Sequence, residues 1–363
     1  MLQVLSSSKT TKILVFFLFV FGLVVISSAG IVDSQKKFGT PYYYLTHQLF
    51  YGAIGLILFF LASRIGYKIW KKYALLILLT AITLLVLVFV PSVGFGLKGA
   101  QRWIHFGPLT FQPSEVLKVA LIIYLAAWFS GRREGKNASW SSMIPFFAIL
   151  ACVFALLIKQ PDVGTLGVIT MIALGMYFFS GVSMKQFISV ILLALAVISV
   201  VVFVSPYRLS RITTYLNRSS DPQGGSYHIN QSLIGIGSGG IFGLGYGQSK
   251  QKFSYLPEPV GDSVFSIIGE ELGLVGMTFV LILFLLLILN LISIAKGASD
   301  NFAKMTVLGI AVWITGQAFI NIAAISGLIP LTGVPLPFIS YGGTAIVALL
   351  GSLGIAVNIA EKG

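Results

Sequence analysis

Acidic side chains are scarce in this chain and unevenly placed. Of its 11 Asp and Glu residues, four (Glu258, Asp262, Glu270 and Glu271) fall within 14 consecutive positions. Lys250 and Lys252 precede them, and Arg208, Arg211 and Arg218 open the same polar stretch. Asp262 follows Gly261 and stands at the mouth of an apolar run from Ser263 to Ile294, broken mainly by Glu270 and Glu271. A carboxylate at the mouth of a membrane span is costly to keep and is a functional candidate by default. Together with the flanking cations it suits a base beside a diphosphate: the acid accepts a proton while the cations stabilise the anionic leaving group. A solvated charged face, and a helix N-cap of the kind Asp favours, are the plainer uses of the same residues. Glu258, His105 and His228 are the other proton acceptors available in loops. The two histidines are far apart and have no cysteine near them, so they form no metal motif.

Further segments must position these groups. In residues 99–108, Arg102 and Trp103 suit an outer interface, where Trp prefers to sit and Arg reaches phosphate. In 112–118, Pro113 fits the first turn of a helix and Glu115 its positive end. Glu115 and Lys118 are three apart and share a face. They either lock helices together as a buried pair, or Lys118 meets an anionic headgroup in a cavity. Residues 160–165 read as a surface turn opening a helix, with Asp162 and Thr165 able to cap exposed N–H groups. Seven glycines lie between 235 and 247. They formally contain G-x-G-x-x-G, but outside any strand–helix unit, so a dinucleotide site is rejected in favour of close packing or sharp turns. Residues 326–343 hold three prolines and four glycines. Irregular backbone at membrane depth is tolerated where it is protein-buried or lines a wet cavity. This segment is therefore expected to wall the same cavity, with Ser340 as its substrate contact.

The composition sets the class. With 56% hydrophobic and 10% charged residues and a mean hydropathy of +0.94, the chain is an all-α polytopic membrane protein, one integral domain over 1–363. A soluble domain would carry about a quarter charged residues. The net charge of +13 is spread between apolar runs rather than clustered on one face, which excludes a nucleic-acid patch and fits topology and anionic headgroups. Cys152, the only cysteine, is expected to pack within an apolar run and can form no intramolecular disulfide. Against a requirement of about 20 residues per span, ten apolar segments are counted. They lie near 11–31, 45–62, 73–91, 113–130, 143–159, 163–180, 187–205, 262–294, 304–325 and 338–359. The first resembles a signal peptide, but its core exceeds the roughly 7–15 residues of a secretory segment, so a retained anchor is expected. With the N-terminus inside, thirteen cations, among them Lys9, Lys12, Arg132, Arg133 and Lys136, fall on the cytoplasmic side. Only Lys36, Lys37, Lys98, Arg102 and Lys159 fall in short outer loops. The long loop, about 206–261, translocates regardless of charge. Both termini are thus expected in the cytoplasm and the large loop, between spans 7 and 8, outside. No pair of Gly/Pro-interrupted spans recurs in the two halves, which weakens a carrier.

Taken in order, residues 99–103, 112–118, 160–165, 231–247, 252–273 and 326–343 resemble the SEDS family (shape, elongation, division, sporulation) over nearly the whole chain. The chain is most similar to its cell-division branch, FtsW, with the rod-shape branch, RodA, as the near alternative. The resemblance implies ten transmembrane helices in the bacterial cytoplasmic membrane. It implies a peptidoglycan glycosyltransferase that polymerises lipid II into glycan strands for septal wall synthesis, by inverting transfer with release of undecaprenyl diphosphate. A class B penicillin-binding protein and other division proteins are its implied partners. Asp262 is then expected to be the catalytic base. Arg102, Glu115, Lys118, Arg208, Arg211, Lys250, Lys252, Glu258 and Ser340 are expected to bind substrate, and a divalent cation (Mg or Mn) at the diphosphate is the one cofactor to consider. The family signature before the eighth helix usually reads Pro-Glu-Ala-His-Thr-Asp-Phe. Here it is Pro257-Glu258-Pro259-Val260-Gly261-Asp262-Ser263, and Tyr227-His228 stands where the family usually has Tyr-Gln. A lipid II flippase and a non-catalytic division scaffold are the alternatives. A base for sugar chemistry stands at the outer headgroup level, whereas a flipping path needs polar residues through the midplane. Glu270 and Glu271 fall about 12–14 Å below Asp262 on helical rise, which keeps the flippase in view. A scaffold needs neither Asp262 nor the cations.

Overall fold

The structure, a computed structural model, describes residues 7–97, 100–106, 109–131, 143–204, 206–217, 224 and 226–362. Lys98, Arg132, Arg133, Lys136 and Arg218 lie outside the described residues, as does the side chain of Arg208. Among the described residues, seven helices are long and apolar enough to cross a membrane. These are α1 (Ser8–Ala29), α3 (Tyr43–Arg64), α6 (Pro113–Ser130), α9 (Met184–Phe203), α12 (Val264–Gly297), α13 (Asn301–Ile325) and α14 (Gly343–Lys362). Three shorter apolar helices, α5 (Ala74–Leu87), α7 (Ile144–Lys159) and α8 (Val163–Phe179), coincide with the remaining apolar segments of the sequence. Short helices α2 (Ile31–Phe38), α4 (Tyr67–Lys72), α10 (Pro206–Leu216) and α11 (Tyr227–Ser238) connect them.

Local chemistry fixes where several of these begin. Side chains of Ser7, Asp162, Ser183 and Asp300 accept from the backbone N–H three residues on, at the starts of α1, α8, α9 and α13. Each satisfies one of the donors a helix start leaves open. The core lies where α6, α8, α13 and α14 meet, and α14 also runs along α3. At Gly354 a Cβ would stand 2.3 Å from the Phe59 carbonyl oxygen, so glycine sets that separation. α1 joins the bundle by polar contacts to α12: Thr11 Oγ1 donates to Asn290 Oδ1 at 2.6 Å, and Ser28 Oγ to Glu271 Oε1 at 2.6 Å. By contrast α9 buries only Val190, and its Ile188, Leu192, Leu195 and Val200 face outward, as suits a helix sealed by lipid.

Three expectations are corrected. The chain is not wholly α-helical: β1 (Gly94–Leu97), β2 (Ala100–Phe106) and β3 (Leu109–Phe111) form an antiparallel meander. Phe95 faces Trp103 and His105 faces Thr110 across its ladders. Aromatic and β-branched residues favour this pleated surface, and the fully buried Ile104 anchors it. The eighth apolar segment is not one continuous helix, because α12 breaks at Gly273 (φ 65°, ψ −161°). A Cβ there would lie 2.4 Å from the Gly243 nitrogen. The glycine run docks into this break by exchanging hydrogen bonds. The carbonyls of Glu270 and Glu271 accept from Leu244 and Gly245, while Leu274 and Val275 donate to Gly240 and Ile241. Four of the backbone groups freed by the break are thus satisfied again. Cys152, finally, is exposed on α7 rather than packed.

Candidate functional site

Asp262 ends a tight turn that is held from several sides. Gly261 N and Ser263 N both donate to the Glu258 carbonyl, and Glu258 adopts a left-handed φ of 47° to close the turn. Asn321 Nδ2 of α13 donates to the Asp262 carbonyl at 2.7 Å and to Val334 O at 2.7 Å, tying the turn to the 326–343 segment. Ser340 Oγ donates to Gly261 O at 2.6 Å, and Tyr341 N donates to Val260 O at 2.8 Å. Beneath it lies a second apolar cluster of Ile26, Ala29, Tyr44, Leu256, Val260 and Ile267. Burial raises the pKa of the adjoining Tyr341, so its phenol stays neutral.

A turn held this firmly presents its carboxylate to a cavity of about 300 Å³ lined by Ser210, Arg211, Thr214, Tyr215, His228, Ile229, Asp262, Leu331 and Gly333. The 326–343 segment therefore walls the cavity, as its irregular composition implied. Arg211 Nη1 donates to Leu331 O at 3.1 Å and Tyr215 Oη to Leu328 O at 2.7 Å, fastening α10 over the opening. A second cavity of about 660 Å³ is almost wholly apolar. It runs between α3, α5, α6 and α14, with Tyr51, Leu58, Trp70, Ile77, Val119 and Ile355 among its walls.

The other charged candidates are placed differently. Lys252 is buried: its Nζ donates to Glu271 Oε1 at 2.8 Å, Ser28 Oγ at 3.0 Å and Gly247 O at 2.6 Å. This departs from a cation facing a diphosphate, because a buried ammonium is kept only where carboxylate and carbonyl oxygens surround it. Glu270 receives Lys250 N, Gln251 N and the Ser249 hydroxyl. The two acids thus hold the 247–252 turn against α12. Glu271 also meets Ser28, one residue before the end of α1, so the acids lie near the end of a span and mark no path through its middle.

Glu115 and Lys118 form a pair at 2.8 Å with side chains only 4% and 2% exposed, so in this conformation the ammonium meets no headgroup. Lys118 Nζ also donates to Gln317 Oε1 at 2.9 Å and sits 4.9 Å from the Trp313 ring centre. Gln317 Nε2 passes the link to Pro335 O at 2.9 Å, so this network braces the cavity wall from behind. A void of about 10 Å³ between Glu115, Gln317 and Phe338 has room for about one water.

Arg102 is bound to the turn before α8. It donates to the carbonyls of Gln160 and Pro161, and its Nη1 is 3.8 Å from Asp162 Oδ1. Lys250 and Glu258 are exposed at the surface, and neither lines the Asp262 cavity. Ser340 is buried, its hydroxyl taken up between Leu336 N and Gly261 O, and so supports the turn rather than facing the cavity. Sequence reasoning passed over Tyr215, Thr214, Asn321 and Gln317. The last two carried a signal, being polar side chains inside an apolar span.

This geometry belongs to a known class of membrane protein. The chain matches the FtsW/RodA/SpoVE model, described as cell cycle protein, over residues 9–363, and belongs to that family. It is 38% identical over 349 residues to stage V sporulation protein E of Bacillus subtilis, covering 96% of this chain and 95% of that protein. It is 38% identical over 342 residues to the probable peptidoglycan glycosyltransferase FtsW of Geobacter sp. strain M18, covering 94% and 93%. Among solved structures it resembles a chain from a peptidoglycan synthase complex that coordinates polymerization and crosslinking, at TM-score 0.80 and 27% identity over 97% of this chain and 96% of that one. It also resembles the rod shape determining protein RodA of Thermus thermophilus, at TM-score 0.72 and 26% identity over 97% and 95%.

Proposed function

We propose that this multi-pass membrane protein is a peptidoglycan glycosyltransferase that polymerises lipid II, with Asp262 as its general base. The reading is carried by one observation: a rigidly held carboxylate opens onto a cavity that also presents Arg211 and His228. The acceptor's 4-hydroxyl attacks the anomeric carbon of the donor. The C–O bond to the diphosphate breaks, and undecaprenyl diphosphate leaves with the electron pair from the opposite face. Such a displacement inverts the carbon and needs no enzyme nucleophile, but the hydroxyl must lose its proton, which the Asp262 carboxylate accepts. Arg211 offsets the charge developing on the leaving group. The 660 Å³ apolar groove between α3, α5, α6 and α14 suits a polyprenyl chain.

The three shorter apolar helices complete a set of ten spans with both termini in the cytoplasm. The Asp262 cavity then faces outward from the cytoplasmic membrane, at the level where lipid II headgroups are used. Septal wall synthesis with a class B penicillin-binding protein and other division proteins follows from the kinship with FtsW. Among the described residues no three or more His, Cys, Asp or Glu stand together as metal ligands. A divalent cation (Mg or Mn) accompanying the diphosphate would therefore be held mainly by substrate oxygens.

The test is Asp262→Asn, since Asn keeps the shape of Asp but cannot take the proton, and the helix cap itself is Ser263. The variant is expected to fold, insert and bind lipid II while losing about 10²–10⁴-fold in glycan synthesis from purified lipid II. Near-normal synthesis would transfer the role to another group, with Glu258 next in line.

A further inference from the structure

The backbone on both sides of Asp262 is held by side chains from the far wall of the cavity. Ser340 Oγ donates to the Gly261 carbonyl at 2.6 Å, and Asn321 Nδ2 donates to the Asp262 carbonyl at 2.7 Å. These carbonyls belong to the two peptide units that flank the Asp262 Cα. The second unit is gripped at both edges, since Ser263 N donates to Glu258 O at 3.3 Å. A peptide unit is planar, so holding both units fixes the two backbone dihedrals at Asp262. The direction of its Cα–Cβ bond is fixed with them, and the carboxylate keeps only its own two torsions.

Asn321 is the member of this clamp that needs a reason. It lies on α13 between Ile320 and Ile322 and is 1% exposed. Both partners of its amide, Asp262 O and Val334 O, are carbonyls that can only accept, so the nitrogen must face them and both its protons are used. Its Oδ1 is buried without a hydrogen-bond partner among the described residues. An unsatisfied acceptor inside an apolar span is destabilising, and an aliphatic side chain would avoid it. The advantage of asparagine here is therefore confined to its two donations. They join the Asp262 turn to Val334, next to Gly333, and a Cβ at Gly333 would stand 3.9 Å from Asp262 Oδ2. One buried amide thus sets the spacing between the carboxylate and the opposite lip of the cavity, while Asn321 itself does not line that cavity.

We propose that Asn321 is a positioning residue for the Asp262 carboxylate, with Ser340 as its counterpart on the preceding peptide, an inference that rests on the base role proposed above. A base must stand within hydrogen-bond reach of the hydroxyl it deprotonates. Removing the donation to the Asp262 carbonyl frees one flank of the turn and shifts the carboxylate without altering its chemistry. A displacement of about 1 Å is enough to cost about 10²-fold in rate.

The experiment measures lipid II polymerisation by the full chain in proteoliposomes with its class B partner. The proteins compared are the parent, Asn321→Ser, Asp262→Asn and the double variant, with thermal unfolding followed in parallel. Serine keeps one donor, so the single variant is expected to fold, with kcat lowered about 10–10²-fold and KM unchanged. In the Asp262→Asn background there is no base left to aim, and the same substitution should lower the residual rate by less than about twofold. Its effect on the melting temperature should be equal in both backgrounds, so a merely structural role would depress both rates by one factor. Asp262→Glu, which keeps a carboxylate one methylene out of place, is the second background if the residual rate of Asp262→Asn is too low to compare. Should Asn321→Ser fold poorly, Ser340→Ala carries the same comparison from the other flank. An unchanged kcat, equal losses of kcat and lipid II affinity, or the same factor in both backgrounds would each overturn the proposal. Near-parental synthesis by Asp262→Asn would overturn the base assignment instead, which separates the two failures.

Discussion

The arm of α12 that precedes the Gly273 break has a carboxylate cluster at one end and a single carboxylate at the other, and the two ends use them differently. At the break, Glu270 and Glu271 are 1% and 4% exposed and their oxygens are filled from within the protein. Ser28, Ser249, Lys252 and the backbone of Lys250 and Gln251 supply the donors. At the start, Asp262 is half-buried and faces a cavity of about 300 Å³. The first end is a latch that seats the glycine run in a broken helix; the second is an opening. Proximity in sequence, charge and position at a membrane mouth are common to both. What separates them is whether the side chain is closed off inside the protein or lines a cavity.

The contrast breaks most directly at the latch. Lys252→Met leaves the Glu271 carboxylate buried without its cation, which costs about 3–5 kcal/mol for a buried pair. Thermal unfolding should show that loss, and Lys252→Met with Glu271→Gln together should regain part of it. A single variant that stays fully stable but no longer binds lipid II would move Lys252 from latch to substrate site. Lys118→Ala is expected to behave in the same way, with partial recovery in Glu115→Gln plus Lys118→Met. Gly273→Ala tests the break itself. Its backbone conformation is nearly closed to side chains, so about 3 kcal/mol of stability should be lost, and protease sensitivity should rise within 239–252 as the glycine run undocks.

How much of this was legible in the sequence depends on the residue. Asp262 could be picked out because Gly261 and an apolar run isolate it, and each of the ten apolar segments contains a helix among the described residues, the eighth of them broken at Gly273. Lys252 could not be told from Lys250: both precede the acids, but only the fold turns one inward and leaves the other exposed. The break at Gly273 was hidden inside a run read as one apolar span interrupted mainly by Glu270 and Glu271, where one glycine among several carries no periodic signal. The meander of 94–111 was hidden for a similar reason, since strands of three to seven residues give too little alternation to register. Arg102 shows the same limit in another form. Its charge suggested phosphate, yet the carbonyls that take it belong to a turn 58 and 59 residues away.

On the open side, Arg211→Ala should lower turnover about tenfold, near 1.4 kcal/mol, with a smaller change in lipid II affinity. A fixed cation favours the charge that develops as the diphosphate departs more than the charge already present on binding. Equal losses in kcat and affinity would reduce Arg211 to a headgroup anchor and shrink the functional part of the cavity to Asp262.

The smallest effect is expected at Asp162, which combines features of both ends. It is buried and stands 3.8 Å from the Arg102 guanidinium, like a latch, but its Oδ1 also accepts from Thr165 N at 3.3 Å as the cap of α8. Asn can replace the cap but not the charge, and Ala can replace neither. If the cap dominates, Asp162→Asn should lie within about 0.5 kcal/mol of the parent and Asp162→Ala should cost about 1 kcal/mol. At 3.8 Å and with Arg102 one-third exposed, the ion pair is long and solvent-screened, so the cap is expected to win. Equal destabilisation by Asn and Ala in thermal unfolding would reverse that ranking. Asp162 would then join Glu271 as a carboxylate kept for its cation, and the turn before α8 would be held by charge rather than by its helix.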